Sequence, residues 1–235
     1  MFIIYTLVIL MASIAIHEFA HLQVARWLGL RVSEYAIGFG KRVVGWQYSG
    51  VDCSVRAMPL GGFVKIPDLV SVQAKDAYKA IAVYAAGPVS NLLFAGVLCC
   101  WIIISPVGHF SGVQGAWDAW VLIIVETGKA LAGMLHGDMA GLGGPISLAH
   151  SMSQVKSFGL GVVMAAGIQV GLFFFNLLPL PILDGGQIVL ALVTRHRGKD
   201  LSPAAKYRVF TAAAAALLFF AVFLTGRDIV VLYCA

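Results

Sequence analysis

The sequence His17-Glu18-Phe19-Ala20-His21 brings two imidazoles and a carboxylate close together. On a helix, residues i and i+4 lie on one face, so both imidazoles can reach a single ion. Zinc suits imidazole ligands, and a catalytic zinc site keeps one position open for water. Glu18 lies beside the first histidine, where it can take a proton from that water. The motif predicts zinc-dependent hydrolysis. The alternative is a histidine pair hydrogen-bonded within a helix bundle.

Two histidines leave a catalytic zinc site one protein ligand short. The remaining histidines all fall in connections between apolar segments: His109, His136, His150 and His196. Asp184 follows an apolar segment and precedes a glycine pair. Pro179 and Pro181 cannot continue a regular helix, so we expect extended chain up to those glycines. Asp184 is therefore the candidate third ligand. A turn aspartate before glycines is the alternative.

The elements that position these residues belong to a membrane protein. The chain is 60% hydrophobic and 11% charged, whereas a soluble domain carries about a quarter charged residues. The four cysteines form no CxxC pair, so neither a disulfide framework nor a cysteine zinc site is indicated. No tract rich in lysine and arginine is typical of a nucleic-acid site.

A membrane-spanning helix needs about 20 mostly apolar residues. Four segments reach or approach that length: residues 2–28, 80–107, 158–183 and 209–225. Residues 32–66 are rich in glycine and alternate loosely, which predicts short strands over a cavity at membrane depth. Residues 117–134 have apolar side chains at helical spacing, interrupted by charges. They predict an amphipathic helix at the outer interface, with a fifth span as the alternative.

The fold class predicted is thus an all-α polytopic membrane protein with a small membrane-embedded β element, forming a single domain over residues 1–235. The first and third connections hold 13 of the 16 lysines and arginines. Basic connections stay in the cytoplasm, so both termini are expected outside. The HExxH motif and Asp184 then lie near the same, cytoplasmic face.

These motifs resemble the site-2 protease family, and more narrowly the bacterial regulator-of-sigma-E proteases. The resemblance rests on HEFAH and on Leu183-Asp184-Gly185. It extends over further stretches: Gly38–Lys41, Met58–Lys65, Ala86–Asn91, Gly144–Ile146 and Asn176–Gly186. It implies that His17, His21 and Asp184 bind zinc and that Glu18 is the catalytic base. It implies that Asn176, Pro179 and Pro181 contact the substrate.

The resemblance also implies an activity and a place in the cell. The enzyme would be a zinc metalloendopeptidase in a bacterial inner membrane, cutting peptide bonds within or near transmembrane segments during regulated intramembrane proteolysis. Its partners would be single-pass membrane proteins, such as an anti-sigma factor, or signal-peptide remnants, in the lipid bilayer. An unwound substrate could add as a strand to the β region. Relatives usually carry PDZ domains between the second and third spans. In this chain that connection is too short, so no PDZ domain is expected.

Two rival functions use the same residues. A metal transporter could pass the ion along the three ligands, but it would need a polar path across the membrane. The second and third spans offer few polar side chains: Ser90, Asn91, Gln169 and Asn176. A catalytically silent protein could bind membrane helices, but metal binding alone does not need Glu18.

Overall fold

The computed structural model describes residues 2–69, 74–104, 112–136, 146–147, 150–151, 158–199 and 201–231. The helices are α1 (Phe2–Trp27), α2 (Ala77–Ile104), α3 (Gly112–Leu135), α4 (Phe158–Asn176), α5 (Asp184–Arg197) and α6 (Pro203–Ile229). The strands are β1 (Glu34–Tyr48) and β2 (Val51–Lys65). Helices dominate and one small sheet is present, in agreement with the predicted fold class.

Three described helical segments are long and apolar enough to cross a membrane: Val8–Trp27, Ala77–Trp101 and Ala204–Ile229. They correspond to the first, second and fourth predicted spans. The second prediction ran to residue 107, and residues 105–107 lie outside the described part of the chain. The fourth predicted span, 209–225, lies within α6, which starts earlier than predicted. Pro203 begins it, because proline fits the first helical turn, where its missing N–H has no intrahelical partner.

The predicted third span, 158–183, is shorter as a helix. Helix α4 ends at Asn176, and its apolar part, Gly161–Asn176, is a shorter segment than the other three. Residues 177–183 were expected to be extended, and that prediction is wrong. The N–H of Leu180 donates to Leu178 O at 2.8 Å, and that of Leu183 donates to Leu180 O at 2.8 Å. Prolines fix φ near −65°, which suits turns as well as extended chain.

The predicted strands at 32–66 are confirmed as an antiparallel sheet of β1 and β2. Ser49 and Gly50 join them with φ of 47° and 80°, as a tight hairpin turn requires. Both strands bend, so that residues 34–37 lie opposite both 52–55 and 62–65. Residues 62–65 therefore form an outer edge of the described sheet.

The chain divides into two compact units. The first comprises residues 7–91 and 176–213. In its core, Leu22 of α1 packs against Tyr35, Val51 and Cys53 of the sheet. The Tyr35 hydroxyl donates to Ala15 O at 3.0 Å, which fastens β1 to α1 beside the HExxH turn.

A surface clamp holds the start and the end of the sheet region together. Both the backbone N–H and the guanidinium of Arg31 bind the Asp68 carboxylate, at 2.7 to 3.0 Å. These hydrogen bonds from Arg31 hold the pKa of Asp68 below its usual value. The Asp68 carboxylate thus stays charged to a lower pH than a free aspartate would, and it bridges residues on either side of the sheet.

The second unit comprises residues 1–6, 92–175 and 214–235. Small residues of α2 and α4, including Ala95 and Ala166, are buried against each other, and Trp120 of α3 packs on them. Trp117 and Leu122 on α3 remain exposed, at 57% and 59%. The helix predicted at 117–134 is thus confirmed. Its position at a membrane interface stays a prediction, as does the single domain over 1–235.

Candidate metal centre

Helix α1 presents two imidazoles one turn apart, and α5 brings a carboxylate to them. The Nε2 atoms of His17 and His21 are 3.1 Å apart. Asp184 Oδ2 lies 3.0 Å from His17 Nε2, and Asp184 Oδ1 lies 3.4 Å from His21 Nε2. Both histidines are buried, and the three ligand atoms lie within 4.8 Å of one another. The structure therefore gathers the three residues predicted to bind metal.

The turns at 177–183 position Asp184 as the first residue of α5. Gly185 and Gly186 allow this path, because a Cβ on Gly185 would collide with Leu177 O and one on Gly186 with Leu180 O. The Gln187 side chain donates back to Pro181 O. The glycine pair thus lets α5 begin tightly against the preceding turns, with its first carboxylate facing α1.

The hydrogen bonds of His21 test whether this cluster suits a cation. His21 Nδ1 lies 2.7 Å from Val83 O. A carbonyl oxygen can only accept, so Nδ1 carries the proton of the neutral imidazole, and Nε2 presents its lone pair to Asp184 Oδ1. Asp184 Oδ2, which faces His17 Nε2, has no hydrogen-bond donor among the described residues. A buried carboxylate oxygen facing a nitrogen lone pair is unfavourable without a positive charge between them.

The spacing of the cluster fits zinc. Ligand atoms about 2.0–2.1 Å from a tetrahedral zinc lie about 3.3 Å from one another. The two imidazole nitrogens are 3.1 Å apart, and each has one Asp184 oxygen nearby, Oδ2 at 3.0 Å from His17 and Oδ1 at 3.4 Å from His21. Two imidazoles and a carboxylate are also ligands that zinc accepts. The residues present therefore fit a zinc ion with one position left open.

Helix α2 covers the cluster with backbone rather than a side chain. A Cβ built on Gly87 would lie 2.6 Å from His17 Cε1 and Nε2, and it would collide with His21 Nε2. Not even a methyl group fits there. Gly87 thus lets α2 approach both metal-facing imidazole edges.

Asn91 holds the other ring nitrogen of His17. Its side chain is 1% exposed, with Nδ2 placed 3.1 Å from His17 Nδ1 and Oδ1 buried without a partner. The two ends of an amide have nearly the same shape. Exchanging them makes Oδ1 the acceptor for a His17 Nδ1–H, which leaves the Nε2 lone pair facing Asp184. That arrangement matches the one His21 makes with Val83.

One stripe of α2 therefore cradles the HExxH motif. Val83 O binds His21, Gly87 packs on both rings, and Asn91 binds His17. These residues follow one another at a spacing of four, which places them on one helix face. From the sequence, residues 86–91 contributed only to a family resemblance, and Asn91 had no role. The four-residue spacing from Gly87 to Asn91 within the second span was the signal that could have identified Asn91.

Glu18 lies between the ligand cluster's helix and the sheet edge. It is half-buried, and a Cβ built on Gly62 would lie 2.8 Å from Glu18 Cγ. The group of ligand atoms does not include the Glu18 carboxylate. The residue predicted to be the catalytic base thus adjoins His17 in the chain and strand residue Gly62 in space.

The predicted substrate-contacting residues precede Asp184 in the chain. Asn176 is the half-buried last residue of α4; in the turns that follow, Pro179 is exposed and Pro181 is half-buried. Their contact with substrate stays a prediction.

Known proteins are similar to this chain along most of its length. The model of peptidase family M50 matches residues 5–220. A protein of Rhizobium meliloti (strain 1021) named for zinc metalloprotease activity is 23% identical, with 95% of each chain covered. One of Rickettsia conorii with a similar name is 23% identical, with 91% of this chain and 94% of the relative covered. The zinc metalloprotease Rip1 of Mycobacterium tuberculosis is 29% identical over 61% of this chain and 37% of its own length.

The alignment with the Rhizobium protein runs over 355 positions, against 235 residues in this chain. That relative therefore has additional residues within the aligned region. This difference agrees with the expectation that the present chain lacks an inserted PDZ domain.

Proposed function

The chain belongs to peptidase family M50, and we propose that it is an integral membrane zinc endopeptidase of the site-2 type, cutting transmembrane segments of other proteins. The observation that carries the proposal is the convergence of His17, His21 and Asp184, with Glu18 beside them and outside the cluster. Three protein ligands and a neighbouring carboxylate are the parts that metal-dependent hydrolysis needs.

Each residue has one task in this proposal. When bound by His17, His21 and Asp184, zinc supplies a Lewis acid that polarises the scissile carbonyl and acidifies water. Glu18 takes a proton from the attacking water and returns it to the leaving amine. Asn176 donates a hydrogen bond to the oxyanion or to the substrate backbone. Pro179 and Pro181 keep the adjoining turns in place against the substrate.

The same proposal fixes an orientation in the membrane. Helix α4 serves as a fourth, shorter span, and the basic first and third connections lie in the cytoplasm. The termini are then outside, and the metal centre lies near the cytoplasmic face of a bacterial inner membrane, with the sheet embedded beside it. Substrates are single-pass proteins, such as anti-sigma factors, or signal-peptide remnants. Rip1, a relative named as a zinc metalloprotease, supports the protease over the transporter or the silent binder.

Cleavage of a single-pass model substrate by the purified protein is expected to stop when zinc is chelated and to return when zinc is restored. The reason is that the three proposed ligands have no role in hydrolysis without the metal. Product formation measured by mass spectrometry checks this result. Zinc flux into proteoliposomes with no cleavage would instead support the transporter.

Asn91 is proposed to orient His17 by accepting its Nδ1–H. Asn91→Leu keeps the shape but removes the acceptor, so zinc affinity is expected to fall about 10- to 100-fold. Asn91→Asp retains an acceptor oxygen and serves as the matched control, with affinity near that of the wild type. Competition with a zinc indicator measures both. Wild-type affinity in the leucine variant would remove this role from Asn91.

Strand addition of the substrate requires an unpaired backbone edge, and residues 62–65, an outer edge of the described sheet, are our candidate for it. Val55, in the middle of the predicted strand region, is unsuitable for a proline test, because it lies between Ile37 and Val44 and is flanked on both sides. A proline there would disrupt the sheet itself. At the outer edge, by contrast, the Ser33 N–H donates to Lys65 O at 2.9 Å.

Val64→Pro is the sharper test of strand addition. The N–H and C=O groups of neighbouring strand residues point to opposite sides, so those of Val64 point outward when those of Lys65 point toward Ser33. Proline at Val64 removes one outward donor and is tolerated on an edge. Losing one hydrogen bond should lower kcat/KM about two- to tenfold for every substrate. Val64→Ala keeps the N–H and is the control. Equal rates in the two variants would argue against pairing at this edge.

A further inference from the structure

The unit formed by residues 7–91 and 176–213 contains a cavity of about 600 Å³ whose walls are mostly apolar. Strand residues 63–66 form one wall. Three helices supply the others, and on each helix the lining residues are spaced so that they share one face. They are Ala80 and Tyr84 of α2, Gln187, Leu190, Ala191 and Thr194 of α5, and Lys206 and Phe210 of α6. The cavity is thus enclosed by packed helices and a strand.

Most polar side chains on these walls already have partners. Lys65 pairs with Glu34 at 3.1 Å, and Gln187 donates to a backbone carbonyl of the preceding turns. Thr194 and Lys206 also have interactions of their own. A charged group entering the cavity would lose water without gaining a partner, which is costly. The walls therefore favour an apolar occupant.

The cavity adjoins the proposed catalytic residues along two segments of the chain. Gly62 lies against Glu18, and the four strand residues that follow Gly62 line the cavity. Ile182 lines it two residues before Asp184. A strand advances about 3.3 Å per residue, so a substrate chain laid along residues 62–65 would reach the cavity within about four residues of Glu18.

An extended polypeptide fits this position better than a lipid chain does. Residues 62–65 form an outer edge of the described sheet, and the N–H and C=O groups of such an edge pair with an added strand. A lipid chain offers them neither donors nor acceptors. Side chains alternate between the two faces of a strand, so every second residue of the added strand can turn toward the same wall. The occupant is then an apolar side chain of the substrate.

Resting on the proposed function, we propose that this cavity is a subsite for one large apolar side chain of the substrate, and that filling it fixes which peptide bond is cut. A phenylalanine or leucine seated in the cavity sets the register of the substrate strand against residues 62–65. The register determines which carbonyl lies beside Glu18 and the three proposed ligands. Because a transmembrane segment is apolar almost throughout, the size of the side chain rather than its polarity distinguishes one position from another.

A substrate series that moves one phenylalanine through an alanine-rich cleavage window tests the register, because the composition of the window stays constant. The cut, located by mass spectrometry, is expected to move with the phenylalanine by the same number of residues. Replacing that phenylalanine with alanine should lower kcat/KM about tenfold or more, since an apolar pocket discriminates by size to at least that extent. A cut that stays at one depth while the phenylalanine moves overturns the proposal, and so does an equal kcat/KM with and without it.

Leu190→Ala and Leu192→Ala form a matched pair on α5. Leu190 lines the cavity, whereas Leu192 is 49% exposed on another face of the helix. The shorter side chain at position 190 enlarges the cavity. The ratio of kcat/KM for a tryptophan substrate to that for a phenylalanine substrate should therefore rise about tenfold in Leu190→Ala. Leu192→Ala should keep the wild-type ratio.

Ala191→Leu changes the cavity in the opposite direction. Ala191 is buried and lines the cavity, so a larger side chain there takes up room that the substrate would use. The phenylalanine-to-alanine ratio of kcat/KM should fall about tenfold. Ala204→Leu, an exposed change near the start of α6, is the control and should leave the ratio as in the wild type. Zinc content and cleavage of the alanine substrate show that each variant is folded. Ratios that change equally in the lining variants and in their controls overturn the proposal while leaving the protease assignment intact.

Photo-crosslinking tests occupancy without turnover. In a Glu18→Gln background, p-benzoylphenylalanine replaces Phe210 in the cavity or, as a control, the exposed Trp46 on β1. Adducts from position 210 should map to the substrate residues around the phenylalanine and move along the substrate with it. Adducts with lipid alone, or equal adducts from both positions, overturn the proposal. Adducts that follow the phenylalanine, with no cleavage of any substrate by the wild type, would support the subsite and refute the proposed protease function.

Discussion

Glu18→Gln is expected to abolish cleavage of a single-pass substrate while the zinc stays bound. The Glu18 carboxylate is not one of the gathered ligand atoms, so the metal site does not depend on it. A carboxamide of nearly the same shape cannot take a proton from water. Loss of a general base costs about 10²- to 10⁴-fold in rate, and we expect kcat to fall by at least that much. Single-turnover assays and metal analysis of one preparation provide the measurement.

Asp184→Ala is the matched contrast. It removes a carboxylate that faces both imidazoles at 3.0 and 3.4 Å, so zinc should be lost together with activity. Metal content therefore distinguishes the two variants. Glu18→Gln should keep its zinc, because Glu18 acts on water, and Asp184→Ala should lose it, because Asp184 binds the ion. A Glu18→Gln protein that lost its zinc, or that cut substrate at the wild-type rate, would contradict the role of Glu18 as a base outside the metal site.

The candidate ligand set was predictable from the sequence because each of its three residues has a local or global signal. His17 and His21 share a helix face by their spacing alone. Asp184 required a further inference. The distribution of basic residues predicts that the end of the third apolar segment, which precedes Asp184, lies on the same side of the membrane as HExxH. The structure brings the three together, as expected. Three membrane-capable helices and the β segment also follow from composition and glycine content.

What the sequence could not supply depends on how particular residues pack in the folded chain. The path of residues 177–183 is one case, because prolines permit both turns and extended chain and the choice depends on the packing of Gly185 and Gly186. The edge of the sheet is another. Strand patterns predict that residues 51–65 pair with another strand. They do not predict that this strand bends so that residues 52–55 and 62–65 lie on opposite sides of residues 34–37, which places Val55 inside the sheet. The contacts of Val83, Gly87 and Asn91 with HExxH could not be recognised from the sequence, because these residues lie within a run of apolar and small residues.

Gly87→Ala is expected to lose zinc and activity although it adds only one methyl group. That group would lie 2.6 Å from His17 Cε1 and Nε2 and closer still to His21 Nε2, so the imidazoles or α2 must move. A displacement near 1 Å at a reacting site costs about 10²-fold in rate. Zinc affinity should fall as well, because metal bonds tolerate about 0.2 Å. Competition with a zinc indicator and the cleavage assay measure the two effects.

Gly167→Ala is the control for Gly87→Ala, because a Cβ on this α4 glycine meets nothing within 4 Å. Alanine favours a helix over glycine by about 1 kcal/mol, so both variants should strengthen their helices locally. Gly167→Ala should therefore keep zinc and activity, and its thermal unfolding should not occur at a lower temperature. A loss confined to Gly87→Ala assigns the effect to crowding at the metal centre rather than to helix stability. Full zinc occupancy in Gly87→Ala would mean that α2 does not approach the imidazoles as closely as the structure places it.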